Sequence, residues 1–318
     1  MEKKQFYEAF YQALEKEAQA VGAGLKWMDV LKNNEVLKGI RIQFKKGAAA
    51  PVIYPGRYIE EAEDGLPVEF LAARAFREAQ EGAEIINKRI EQIKADPDQF
   101  RYALRSAVVN YGNNEEMLKS IPHERVEDLA VYAKWDFGNG ASAKLTDLAL
   151  SYLGMTKEEL LKAAKEGTAR EMRFLGLDEV MRDIYREHLA DEGLAEDVMA
   201  ALPHSPFYVL STKDRMDGAA LIADKGILKG IHEKLGEDFY ILPSSIHEIL
   251  ILPKSESPCP VEELKEMVSN INQQQVEPAD RLSDNVYQFD GKKLSLAEPG
   301  GMEREAGISR TASHRHSR

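Results

Sequence analysis

The stretch Phe239 to Pro253 reads FYILPSSIHEILILP. Two strongly apolar runs, FYIL and ILIL, enclose the polar segment PSSIHE. Runs of four such residues bounded by turn chemistry fit two buried strands joined by a short connection. The connection brings two serines, a histidine and a glutamate into the most hydrophobic part of the chain. Two readings follow. In the first, Ser245 and Glu248 form the capping box S-x-x-E of a single helical turn, so the polar residues serve the backbone. In the second, Ser245, His247 and Glu248 are a reaction centre, with His247 and Glu248 as base and acid or as metal ligands. A zincin helix needs H-E-x-x-H, and neither HEILI at 247 nor HEKLG at 232 supplies the second histidine. A nucleophilic Ser244 or Ser245 needs a base from elsewhere in the fold.

The rest of the chain alternates helical stripes with hairpin signals. Phe6, Phe10, Leu14, Ala18 and Val21 mark a helix over 5–21. WMDVLKNNEVLKGIRIQF predicts a hairpin turning at Asn33-Asn34, and PVIYPGRYIEE an edge strand. A long helix is expected over 67–94, with Ile86, Ile90 and Ile93 inward, and a helix start at Asp96-Pro97. DLAVYAKWDF, GNG and ASAKLTDLAL predict strand, turn and strand. A helix then starts at the Thr156/Glu159 capping box. Residues 168–205 read as helical and charged. FYVLS, KDRMDG and AALIA predict a hairpin. Helices are expected over 224–235 and 261–272, and NVYQF as a closing strand. Without a regular strand–helix–strand rhythm, the fold class is α+β, with antiparallel or mixed sheets and packed helices. Two lobes are expected, 1–200 and 206–292, followed by a disordered basic tail over 293–318.

Other motifs are incomplete. GNGASA fits the loose dinucleotide pattern G-x-G-x-x-A, but a strand-like run follows where a helix should open. DFG at 136–138 lacks the remaining kinase motifs. Cys259 is the single cysteine, so no internal disulfide forms, as suits a reducing cytosol. It stands at a helix start, where a thiol can be activated. His123, His188, His204 and His232 show no metal-ligand spacing, and His314 and His316 lie in the tail. No cofactor and no bound metal are expected.

Charge narrows the function classes. The chain carries −12, and the segment after Pro299 is basic at net +2. An acidic body repels phosphate backbones and anionic membranes, which argues against nucleic acid and membrane partners. The N-terminal residues carry charges where a signal peptide would be apolar. The expected location is the cytoplasm. The leading expectation is a non-enzymatic interaction or regulatory protein that meets a protein partner through its C-terminal tail. The alternative is a hydrolase or metal-dependent enzyme built around His247 and Glu248.

KNNEVLKGI, VIYPGRYIEEAEDG, FYVLSTKDRMDGAALIADKGILKGIHEKLGEDFYILPSSIHEILILP and ELKEMVSNINQQQVEPADRLSDNVYQFD together resemble the bacterial domain of unknown function 5688 family, over nearly the whole chain to about Asp290. The resemblance implies a cytosolic bacterial domain with a small, polar, basic C-terminal extension. It brings no chemistry to Ser245, His247 or Glu248.

Overall fold

The computed structural model describes residues 2–46, 48–94, 96–138, 140–188, 204–243 and 245–298. Helix α1 (Lys3–Val21) buries Phe6, Phe10, Leu14 and Ala18, while Val21 is exposed at its end. Gly22 at φ +68 ends it, the left-handed conformation that glycine adopts without cost. Strands β1 (Gly24–Lys32) and β2 (Glu35–Gln43) form the expected hairpin across Asn33-Asn34. Strand β3 (Val52–Ile53) adds a short edge to β2. After it the chain turns through a 3-10 helix (Pro55–Tyr58) into α2 (Ile59–Glu63). Helix α3 (Val68–Lys94) packs on α1. Leu71, Ala72, Ala75 and Phe76 in its first half and Ala83 beyond are buried, and Ile86 and Ile90 are only half-buried.

A second sheet is antiparallel in the order β4-β6-β5, with β7 also on β6. It comprises β4 (Leu104–Asn110), β5 (His123–Val126), β6 (Leu129–Gly138) and β7 (Ala141–Lys144). Helix α4 (Pro97–Tyr102) precedes β4, capped by the Asp96 side chain on the Asp98 N–H. Helix α5 (Glu115–Leu118) lies between β4 and β5. In the β6–β7 hairpin Gly140 lies in the turn at φ +74 and Gly138, at a register shift of β6, at φ +83, and a strand follows where a dinucleotide motif would open a helix. Asn139 lies outside the described residues. β7 stops at Lys144, because Thr146 caps α6 (Asp147–Leu153) by accepting the Ala149 N–H. The strand expected over ASAKLTDLAL is therefore half strand and half helix. Helix α7 (Lys157–Ala169) carries the full Thr156/Glu159 capping box.

The third sheet is six-stranded and antiparallel, ordered β13-β12-β10-β11-β9-β8. Strand β8 (Met172–Gly176) falls where only helix was expected, and α8 (Leu177–His188) follows it. β9 (Tyr208–Thr212) pairs with β8 along its whole length. The segment AALIA is not the second strand of a hairpin. It forms a 3-10 helix (Gly218–Ala223), because Ala219 to Ile222 are buried on every side and lack a strand's alternation. Helix α9 (Lys225–Leu235) leads to β10 (Phe239–Leu242) and β11 (Ile249–Pro253), the two buried strands around PSSIHE. Helix α10 (Val261–Gln275) and strands β12 (Tyr287–Phe289) and β13 (Leu294–Leu296) complete the sheet. β13 pairs with β12, so residues 294–296, expected in the tail, are ordered sheet. The tail after Glu298 lies outside the described residues.

The architecture is α+β with antiparallel sheets. Its largest core cluster unites Val108, Leu129 and Val131 of the second sheet with Leu210, Phe239, Ile241, Ile251 and Phe289 of the third. Among the described residues no helix is long and apolar enough to cross a membrane.

Candidate functional site

The PSSIHE segment is a loop without a helical turn. Ser245 Oγ accepts the His247 N–H at 3.1 Å, two residues on, where a capping box would use the residue three on. Ser244 lies outside the described residues. The Ser245 N–H donates to the Glu248 carbonyl at 3.4 Å, and further polar groups of the loop grip neighbouring segments. The Ile246 N–H donates to the Asp280 carbonyl at 2.8 Å, and the Ile246 carbonyl receives the Ala219 N–H at 3.3 Å. Ser211 Oγ donates to the His247 carbonyl at 2.7 Å. The His247 ring meets the chain on both edges, with a hydrogen bond on one and a carboxylate near the other. Nδ1 accepts the backbone N–H of Asp217 at 3.3 Å, and Nε2 faces Asp280 Oδ1 at 3.4 Å. A ring nitrogen that accepts an N–H carries no proton, so the proton belongs on Nε2, toward the carboxylate. Glu248 turns elsewhere and lines a small hollow with Arg173 and Arg215. The structure therefore brings Ser245 and His247 together as backbone holders and separates Glu248 from them.

What His247 holds is the STKDRMDG loop, which runs from the end of β9 into the following 3-10 helix. Arg215 and Asp217 adopt φ +56 and +54, a region that side chains with a Cβ seldom occupy. Thr212 Oγ1 accepts the Met216 N–H at 3.0 Å and lies 2.8 Å from Asp214 Oδ1. Gly218 lets the loop close: a Cβ there would fall 2.5 Å from Ser211 Oγ and 2.6 Å from the His247 carbonyl oxygen.

The loop forms one wall of a cleft of about 180 Å³. Its floor is Arg105 and Ser106 of β4 with Lys134 and Asp136 of β6. Ser142 of β7, Thr168 at the end of α7, and Glu171, whose carbonyl accepts the Lys213 N–H, also line the cleft. Lys134 and Asp217 form its most enclosed ion pair, at 2.5 Å with side chains 16% and 15% exposed. Arg105 faces Asp136 at 3.9 Å, and Lys213 faces Glu171 at 3.4 Å. Asp214 is the lining carboxylate that has no ion pair among the described residues. Ser106 is 1% exposed, and its hydroxyl has no hydrogen-bond partner among the described residues. Thr168 Oγ1, beside it, accepts the Ser106 N–H and donates to the Ala164 carbonyl.

Of these cleft residues the sequence drew attention only to Asp136, in the DFG triplet, and Ser142, in GNGASA, both within motifs that are incomplete. KDRMDG read as a turn, which it is, and Ser106 sits in an ordinary strand. Beyond these, only the pair Asp217-Gly218 carried a signal, that of a chain forced into an unusual turn.

The remaining candidates have local partners. Burial, then Glu263, pushes the Cys259 thiol upward, so the helix start does not activate it. His204 bonds Asp178, His232 bonds Asp238, and His123 bonds the Ile121 carbonyl. The described residues hold no group of three or more ligand side chains suited to a metal ion. The side chain of His188, and His314 and His316, lie outside the described residues.

The sequence model of a family of unknown function, DUF5688, matches residues 3–291. The chain belongs to this family. No curated protein and no solved structure matches it. In this DUF5688 chain the matched span includes both the PSSIHE loop and every residue lining the cleft.

Proposed function

We propose that this chain is a non-enzymatic binding protein of regulatory type, whose ligand site is the polar cleft between β4, β6 and the STKDRMDG loop. One observation carries the reading. His247, the best candidate for a reactive group, accepts the Asp217 N–H of that loop on Nδ1 and turns Nε2 toward the Asp280 carboxylate of a neighbouring segment. A general base must have a free nitrogen within reach of the proton it removes. The cleft itself is lined by charged pairs and hydroxyls, an arrangement that orients a small polar solute. At about 180 Å³ it is smaller than the sites that hold drug-sized ligands. The basic segment 300–318 is proposed to carry the bound state to a protein partner.

Thermal shift with a panel of small polar solutes tests this reading, each solute being recovered afterwards and checked for change. The expected result is a raised midpoint and an unchanged solute. Turnover that disappears in a folded His247→Ala variant would instead establish the enzyme reading.

A further inference from the structure

Ser106 is an anomaly in its strand. It alternates with Leu104 and Val108 on one face of β4, at positions where those neighbours are fully buried and apolar. A buried hydroxyl without a partner is costly and rare in a folded protein. Ser106 lines the cleft, so a ligand atom there is one source of that partner.

The charge of the lining sets the class of that partner. Three cations, Arg105, Lys134 and Lys213, each have a carboxylate, and the fourth carboxylate, Asp214, has none. An entering anion would sit beside Asp214 and would gain a cation only by opening an existing pair. An entering cation meets Asp214 with no pair broken. The field of a chain at −12 favours the same sign. We infer that the cleft takes a small organic cation, a primary ammonium or guanidinium compound, whose charge is held by Asp214 and whose hydrogen-bonding group reaches Ser106. The inference rests on the reading of the cleft as a binding site and adds the ligand class to it.

Isothermal titration of the full chain with ethanolamine, lysine and agmatine tests it, with ethylene glycol and succinate as the neutral and anionic counterparts. At least one cation is expected to bind. Its affinity should fall about tenfold in Ser106→Ala and in Asp214→Asn, the loss of one good hydrogen bond or charge contact each. Unliganded Ser106→Ala should keep or raise its melting midpoint, because the orphan hydroxyl is gone. Equal affinity in both variants would overturn the inference, and loss in one variant alone would overturn the role given to the other residue. Binding of succinate or the glycol alone would overturn the ligand class and leave the binding reading standing. Absence of binding by every probe would overturn both. Consumption of a bound cation would overturn the non-enzymatic reading and leave the ligand class intact.

Discussion

At the scale of single residues, two glycines divide sharply by what surrounds them. A methyl at Gly218 would meet Ser211 Oγ and the His247 carbonyl at 2.5 and 2.6 Å, and neither can move without opening the loop. Gly218→Ala is expected to cost at least about 2 kcal/mol in chemical denaturation. Gly230, inside α9, has open space where its Cβ would be, so Gly230→Ala should gain about 0.5–1 kcal/mol. The lysines give a pH signature. Burial, then Lys32 and Lys134, pushes Lys144 down to about 8. Its folded pKa is thus below the unfolded value, and the folded state releases its proton first. Between about pH 8 and the ordinary lysine range the unfolded chain binds more protons, so stability from this group rises with pH there. Below pH 8 the cost of the buried charge is fully present. Lys144→Met should remove that rise, as read from denaturation midpoints across the window. Ser106 and Asp214 were invisible in the sequence because their meaning comes from a neighbour far along the chain. A serine in a strand and an aspartate in a turn are common, and only the fold puts them in one cleft.

At the scale of elements, the legible parts were those with local causes. The Thr156/Glu159 box and the Asn33-Asn34 hairpin were readable because their hydrogen bonds or backbone angles are set within four residues. Thr156→Ala should cost about 1 kcal/mol. Glu159 is held below the usual carboxylate range by Thr156, so this part of the stability is present at neutral pH and fades as pH falls through that lowered value. The misread elements have non-local causes. AALIA has strand composition but is enclosed on all sides, which favours a tight 3-10 coil packed on β4, β9 and α7. β8 was hidden in a charged segment because it lies at the sheet edge, half-buried, where the apolar signal is weak. PSSIHE matched the capping-box pattern, yet its bonds go to Asp280, Ala219 and Ser211, which sequence spacing does not report.

At the scale of the whole molecule, a few polar nodes join distant segments. Asp128, at the β5–β6 turn, receives Asn110, Ser283, Asn285 and Tyr287, the last at 2.5 Å. Burial, then Asp128, holds the Tyr287 hydroxyl far above the ordinary phenol range. Asp128→Ala would leave several donors without an acceptor and is expected to cost about 3 kcal/mol or more, seen as a lower midpoint. Asn33 and Asn34 tie the N-terminal hairpin to the carbonyls of Pro278, Ala279 and Arg281, next to the Asp280 that faces His247. The turn asparagines thus fix the same segment that backs the cleft loop. His247 is thus a clamp on this loop. Long-range ¹H–¹⁵N NMR of the histidine rings at neutral pH, assigned with His247→Gln, tests it most directly. The expected result is a ring whose Nδ1 carries no proton, with the Asp217 amide shifted when His247 is replaced. A ring protonated on Nδ1, or an Asp217 amide indifferent to the replacement, would contradict it.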